Sequence, residues 1–192
     1  MKNAIIIHGR PDKEEYYDST GPSSSNYAWI PWLQKQLLLH EIIAQAPEIP
    51  HAYEPDYPTW KKEFERYDMT PETILVGHSC GGGFLIRWLS EHPEVTVGKV
   101  VLVAPWLDPE RKSTTDFFDF EIDSKIANRT KNFIVFYSDN DTIIGVQKTI
   151  MILKEKVKAA QFRKFHLGHF CIEDMPKGTF PELLEVLLVD IS

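Results

Sequence analysis

LVGHSCGGGF, residues 75–84, sets the end of a short apolar run against a serine flanked by glycines. Ile74–Val76 reads as a strand, and Phe84–Leu89 sits in a helix that stops near His92-Pro93. A glycine inside a helix costs about 1 kcal/mol relative to alanine, so three in succession at a helix start need a reason. Gly77-His78-Ser79-Cys80-Gly81 has the form G-x-S-x-G between a strand and a helix. That turn is sharp and strained, and it makes the serine hydroxyl project. Gly77 and Gly81 remove side chains that would collide across it. Gly82 and Gly83 let the helix approach neighbouring strands or leave room for a substrate. The helix start adds free N–H groups and a positive dipole end beneath the serine.

Outward from this turn, short apolar runs recur without alternation: Ala4–Ile7, Ile42–Ala46, Val100–Ala104, Phe133–Tyr137 and Gln161–His166. Such runs suit strands buried on both faces of a parallel sheet. Helical patterns lie between them. Tyr27–His40 is one, with Asn26 as its N-cap; Thr59–Tyr67, Thr142–Val157 and Pro181–Val189 are the others. Asp56 and Tyr57, among prolines, read as loop. The alternation predicts an α/β fold, a doubly wound and mostly parallel sheet of about six strands with helices on both faces. The chain reads as a single domain over 1–192.

Two connections are long. Residues 10–26 are rich in Tyr, Ser, Gly and Pro, and residues 106–132 form a short lid-like insertion containing Phe117, Phe118 and Phe120. Both follow strand ends, where open α/β sheets bind ligands. The three phenylalanines are candidates to wall a substrate pocket or to anchor the insertion to the core. Trp29 and Trp32 read as core.

The 192 residues are 43% hydrophobic and 26% charged, with a formal net charge of −7. An acidic balance argues against a nucleic-acid groove or an anionic membrane surface as the main partner. No run approaches the roughly 20 apolar residues of a membrane span. Two cysteines, Cys80 and Cys171, make no disulfide framework and point to a reduced, cytoplasmic setting as two free thiols. No metal motif accompanies the histidines, and the glycine run lacks the Lys-Ser/Thr of a phosphate loop. No cofactor is expected.

A serine hydroxyl needs a base to become a nucleophile, and the base needs an acid to orient it. After such a turn the partners follow in the order acid, then histidine. Asp139 and Asp141 follow one strand, and His166 and His169 follow the last. Asp108, after an earlier strand, is a further candidate acid.

With Ile5-Ile6-Ile7-His8-Gly9, Gly77–Gly82, Val103-Ala104-Pro105, Ser138–Asp141 and Gly168-His169-Phe170 together, the chain resembles a small α/β-hydrolase with little or no cap. It is most similar to the family of the retinoblastoma-binding serine hydrolase and its bacterial YdeN-like relatives. The resemblance implies Ser79 as nucleophile, Asp141 as acid and His169 as base. Where relatives commonly carry a proline after the acid, this chain has Thr142. It also implies an oxyanion hole from the backbone N–H of Cys80 and that of Arg10 or Gly9. His8 reads as a structural histidine bridging loop backbone, and His166 as a strand-end residue turned to solvent. The implied activity is cleavage of small carboxylic esters or amides through an acyl-enzyme. The alternative is a non-catalytic interaction module on the same scaffold. The pocket-protein motif L-x-C-x-E finds only His169-Phe170-Cys171-Ile172-Glu173, which lacks the leucine, so no protein partner is named.

Overall fold

The computed structural model describes residues 2–114 and 116–189. Six strands form one sheet: β1 (Lys2–Ile7), β2 (Ile42–Gln45), β3 (Ile74–His78), β4 (Val97–Val103), β5 (Thr130–Ser138) and β6 (Gln161–Phe165). All pairings are parallel, in the order β2-β1-β3-β4-β5-β6. Burial explains which runs sit where. Every residue of β3 and β4 is buried, whereas β6, QFRKF, carries its polar residues at the sheet edge.

Among the described residues six α-helices accompany the sheet: α1 (Lys13–Tyr17), α2 (Ile30–Leu39), α3 (Tyr57–Phe64), α4 (Cys80–Glu91), α5 (Val146–Lys156) and α6 (Pro181–Leu188). Right-handed crossovers put the β1-to-β2 connection on one face and the following connections on the other. The packing agrees: α2 lies against α6, and α3 against α4. Helices α2, α3, α5 and α6 each bury one stripe, α4 is buried almost all round, and the short α1 has no buried residue. In α3 the stripe is Tyr57, Trp60 and Phe64; in α2 it is Ile30, Leu33 and Leu37. Strand order reverses at β1, so the carboxyl ends of β1 and β3 flank the switch point, where open sheets bind ligands.

Several predicted boundaries move, each for a local reason. The helix expected from Tyr27 begins at Ile30, because Ala28 takes φ 51° and Pro31 occupies the first turn. Asn26 is therefore no N-cap; it ends a short 3-10 turn, Ser24–Asn26. The helix expected from Thr142 begins at Val146, after Gly145 at φ 93°. Asp56 and Tyr57 are not loop: the Asp56 carboxylate accepts the Thr59 amide at 2.9 Å and caps α3. The five-residue α1, capped by Asp12, has no predicted counterpart.

Candidate active site

Ser79 stands between β3 and α4 with φ 51° and ψ −118°, a conformation an L-residue adopts only under strain. The surroundings hold it there. Its amide donates to the Val103 carbonyl at 2.9 Å, and its carbonyl accepts from Gly83 and Trp106 at 3.1 and 3.0 Å. The glycines now have distinct reasons. A Cβ on Gly77 would lie 2.7 Å from the Gly82 Cα, and one on Gly81 would lie 2.4 Å from the carbonyl oxygens of Ile7 and His8. On Gly83 it would lie 2.0 Å from the Trp106 carbonyl oxygen and 2.6 Å from the Phe118 ring. Gly83 thus serves close packing rather than substrate space.

The Ser79 hydroxyl lies 2.9 Å from Nε2 of His169, and Nδ1 of the same ring lies 2.7 Å from Oδ2 of Asp141. The Asp141 side chain is fully buried, and its other oxygen accepts the Ile143 amide at 2.9 Å. With Asp141 accepting, His169 carries its proton on Nδ1 and turns a lone pair toward the serine. The other candidate acids go elsewhere. Asp139 pairs with His166 and Lys164 on the surface. Asp108 binds the amides of Lys112, Ser113 and Thr114. Burial works to raise its pKa, but these hydrogen bonds outweigh that and hold the carboxyl below its ordinary value.

His8 bridges backbone. Its Nδ1–H donates to the Gly9 carbonyl at 2.7 Å, and its Nε2 accepts the Ile49 amide at 3.1 Å. Burial pushes its pKa down. Gly9 passes directly beside the serine: a Cβ there would be 3.2 Å from that of Ser79. The Arg10 Nε–H donates to the Tyr53 carbonyl at 2.8 Å, with the side chain exposed at the pocket mouth.

The pocket beside Ser79 holds about 110 Å³. Besides the serine and His169, Arg10, Glu15, Tyr27, Trp29 and Cys171 contribute to its wall. The expectation that Phe117, Phe118 and Phe120 wall it is corrected. Phe117 and Phe118 are buried in the core, where Phe117 meets the edges of Trp60 and Tyr57, and Phe120 packs against that core in part. Arg87 ties their loop down by donating to the carbonyls of Asp116 and Phe117, both at 2.7 Å. None of the described residues in 106–132 lines the pocket. Trp29 does both jobs, buried in the core and forming pocket wall. A larger depression of about 720 Å³ lies at the opposite end of the strands, around Lys2, Ile74 and Lys99, away from the serine.

Both thiols are free. Burial pushes Cys80 up strongly. Burial, then the charges of Glu173 and Asp174, push Cys171 up to about 12. Thiolate chemistry is therefore suppressed at both. Among the described residues no group of three or more His, Cys, Asp or Glu could hold a metal ion. No helix is long and apolar enough to cross a membrane, again among the described residues.

The sequence does not reveal the residues that hold the loop of His169. The Asp174 carboxylate accepts the amides of His169 and Cys171 at 2.8 and 3.3 Å. Asn140 Oδ1 accepts the Gly168 amide at 3.0 Å. Asn140 lies within the quoted Ser138–Asp141 stretch; Asp174 had no signal beyond being one acid among many.

A parallel sheet with a strained serine at the switch point and a histidine within reach of its hydroxyl defines the class of α/β-hydrolases. The comparisons agree, and the chain belongs to the serine hydrolase family, whose model matches residues 21–188. It is 30% identical to the YdeN protein of Bacillus subtilis strain 168, named as a hydrolase, over 97% of this chain and 94% of that one. The solved structure of the B. subtilis ydeN gene product superposes with a TM-score of 0.78 at 24% identity, covering 97% and 96% of the two chains. Est1E of Butyrivibrio proteoclasticus, solved with ferulic acid bound, shares the fold at a TM-score of 0.62 and 12% identity, covering 97% and 86%.

Proposed function

We propose that the protein cleaves small carboxylic esters or amides through an acyl-enzyme on Ser79, His169 and Asp141. The observation that carries this is the single imidazole bonded to both the serine hydroxyl and a buried carboxylate. Ser79 Oγ attacks the substrate carbonyl carbon while His169 Nε2 takes the hydroxyl proton. Asp141 keeps the ring in this tautomer and stabilises the imidazolium. The protonated Nε2 then passes its proton to the leaving alcohol or amine as the C–O or C–N bond breaks. Water repeats the sequence on the acyl-enzyme: His169 takes its proton, the acid departs and Ser79 regains its hydrogen.

The oxyanion is received by the Cys80 amide, at the start of α4, and by Arg10 or Gly9. Two features support this. The leading N–H groups of a helix have no acceptor inside it, and Gly9 brings the first loop beside the serine. The pocket is below the roughly 300–1,000 Å³ typical of drug-sized ligands, so a short group enters and the remainder stays at the open mouth. We place this activity in the cytoplasm, consistent with two unpaired cysteines.

The test is a fluorophosphonate probe combined with short p-nitrophenyl esters. Wild type is expected to label and turn over, and Ser79→Ala to do neither. Equal labelling and turnover by both would overturn the reading. An inert wild type would favour the non-catalytic interaction module.

A further inference from the structure

His169 sits in a tight turn closed by the Phe170 amide donating to the Leu167 carbonyl at 3.0 Å, with Asn140 and Asp174 accepting the Gly168 and His169 amides. The residues on either side, Gly168 and Phe170, both take left-handed conformations, with φ 49° and 59°. Gly168 adopts such a φ freely, whereas Phe170, an L-residue, is strained there and persists only where its surroundings enforce it. The enforcement here comes from side chains. The Nε2–H of His78 donates to the His169 carbonyl at 2.8 Å, and the Nε1–H of Trp29 donates to the Phe170 carbonyl at 3.1 Å. The two donors brace each other, edge to face, with ring centroids 5.9 Å apart.

His78 has a particular place in this arrangement. It is the last residue of β3 and directly precedes Ser79. Its ring lies 5.1 Å from that of His169, and its Nδ1 faces Gly9, where an added Cβ would be 3.4 Å away. One buried ring therefore touches the nucleophile's strand, the loop of the base and the loop beside the serine.

We propose that His78 is a positioning residue for the base: its Nε2–H, aided by the Trp29 indole, holds successive carbonyls of the 169–170 loop so that the His169 ring reaches Ser79 and Asp141 together. The proposal rests on the triad reading above. The choice of histidine follows from the chemistry required. The site needs a donor that is buried and stays uncharged while a positive charge develops on the neighbouring imidazole. Burial, and next the charge of His169, lower the His78 pKa to about 3, so the ring remains neutral when His169 becomes protonated. A lysine here would add a repelling charge, and a leucine would leave the carbonyl unpaired.

The experiment compares wild type, His78→Leu, His78→Gln and Trp29→Phe on a short p-nitrophenyl ester, with Ser79→Ala as control. Glutamine places an N–H near the position of Nε2, and phenylalanine removes only the indole donor and part of the ring. His78→Leu is expected to lower kcat about 10- to 100-fold with KM within about twofold, as for a misplacement near 1 Å. It should also broaden or shift the far-downfield NMR resonance of the His169 Nδ1 proton. His78→Gln should recover most of kcat and the resonance, and Trp29→Phe should lose about three- to tenfold. Wild-type kcat in a folded His78→Leu, or no recovery in a folded His78→Gln, overturns the proposal. If His78→Leu does not fold, Trp29→Phe decides alone: lowered kcat supports it and full kcat overturns it. Should Ser79→Ala turn over as wild type does, the triad reading itself falls, which is a separate result.

Discussion

Two aspartate–histidine pairs stand side by side at the ends of β5 and β6. Asp139 pairs with His166, and Asp141 with His169, each through Nδ1 at 2.7 Å. Bond length does not distinguish them. Burial does: the side chains of the first pair are 45% and 78% exposed, and those of the second 0% and 12%. The third partner does too. His169 meets the Ser79 hydroxyl, whereas the outer pair meets the Lys164 ammonium at 3.3 Å. An exposed pair competes with water for its hydrogen bond and is screened by salt. A buried carboxylate keeps its partner's ring in one tautomer and one direction. The same two residue types thus make a surface hydrogen-bonded pair at Asp139 and His166 and a candidate catalytic pair two and three residues further on.

The sharpest way to break this comparison is to neutralise each acid in turn. Asp141→Asn should lower kcat about 10³- to 10⁴-fold, because the ring loses its orienting acceptor and can take the wrong tautomer. Asp139→Asn should leave kcat within about twofold. Both are read from ester turnover on folded protein. Equal losses would show that the outer pair takes part after all.

A second route disturbs the third partner and leaves both pairs alone. Gly83→Ala forces a Cβ against the Trp106 carbonyl and the Phe118 ring, so α4 and Ser79 must shift. Overpacking of this kind costs about 1–3 kcal/mol. Denaturant unfolding should show that loss, and kcat should fall with it. An unchanged kcat would mean that the serine's place does not depend on the helix behind it.

What could be read from the sequence follows the range of the forces involved. Strands β1, β3, β4 and β5 were legible because apolar runs buried on two faces leave a mark within a few residues; the edge strands β2 and β6 are largely exposed and are marked chiefly by the turn residues that follow them. The serine turn was legible because its glycines are steric requirements of one short stretch. The choice between Asp139 and Asp141 was not legible in spacing, since both follow the same strand; only the resemblance favoured Asp141. Burial and a third partner separate them, and both are tertiary. The aromatic stretch at 117–120 gave no direction for its side chains, because loop residues lack the period that would assign a face. His78 and Trp29 donate across 91 and 141 residues of chain. No local pattern encodes such contacts.

The smallest effect separates the pairs in acid. Unfolded, a histidine takes up a proton below its ordinary value of 6.5, but buried His78 resists until about 3. Its folded pKa is depressed, so below pH 6.5 the unfolded state binds more protons, and stability falls as pH drops toward 3. His8 is shifted in the same direction by burial. Between pH 7 and 5 His78 removes about 2 kcal/mol, and His78→Gln should lose correspondingly less. Asp139 behaves differently. The His166 hydrogen bond, and after it Lys164, hold its carboxyl below the ordinary 3.8. Its contribution is complete above 3.8 and is lost only as pH falls through the lower folded value. Asp139→Asn should therefore show the wild-type loss between pH 7 and 5, measured by urea unfolding at both. A changed slope in that variant would mean that the outer pair is coupled to the buried histidines, and the division between the two turns would no longer hold.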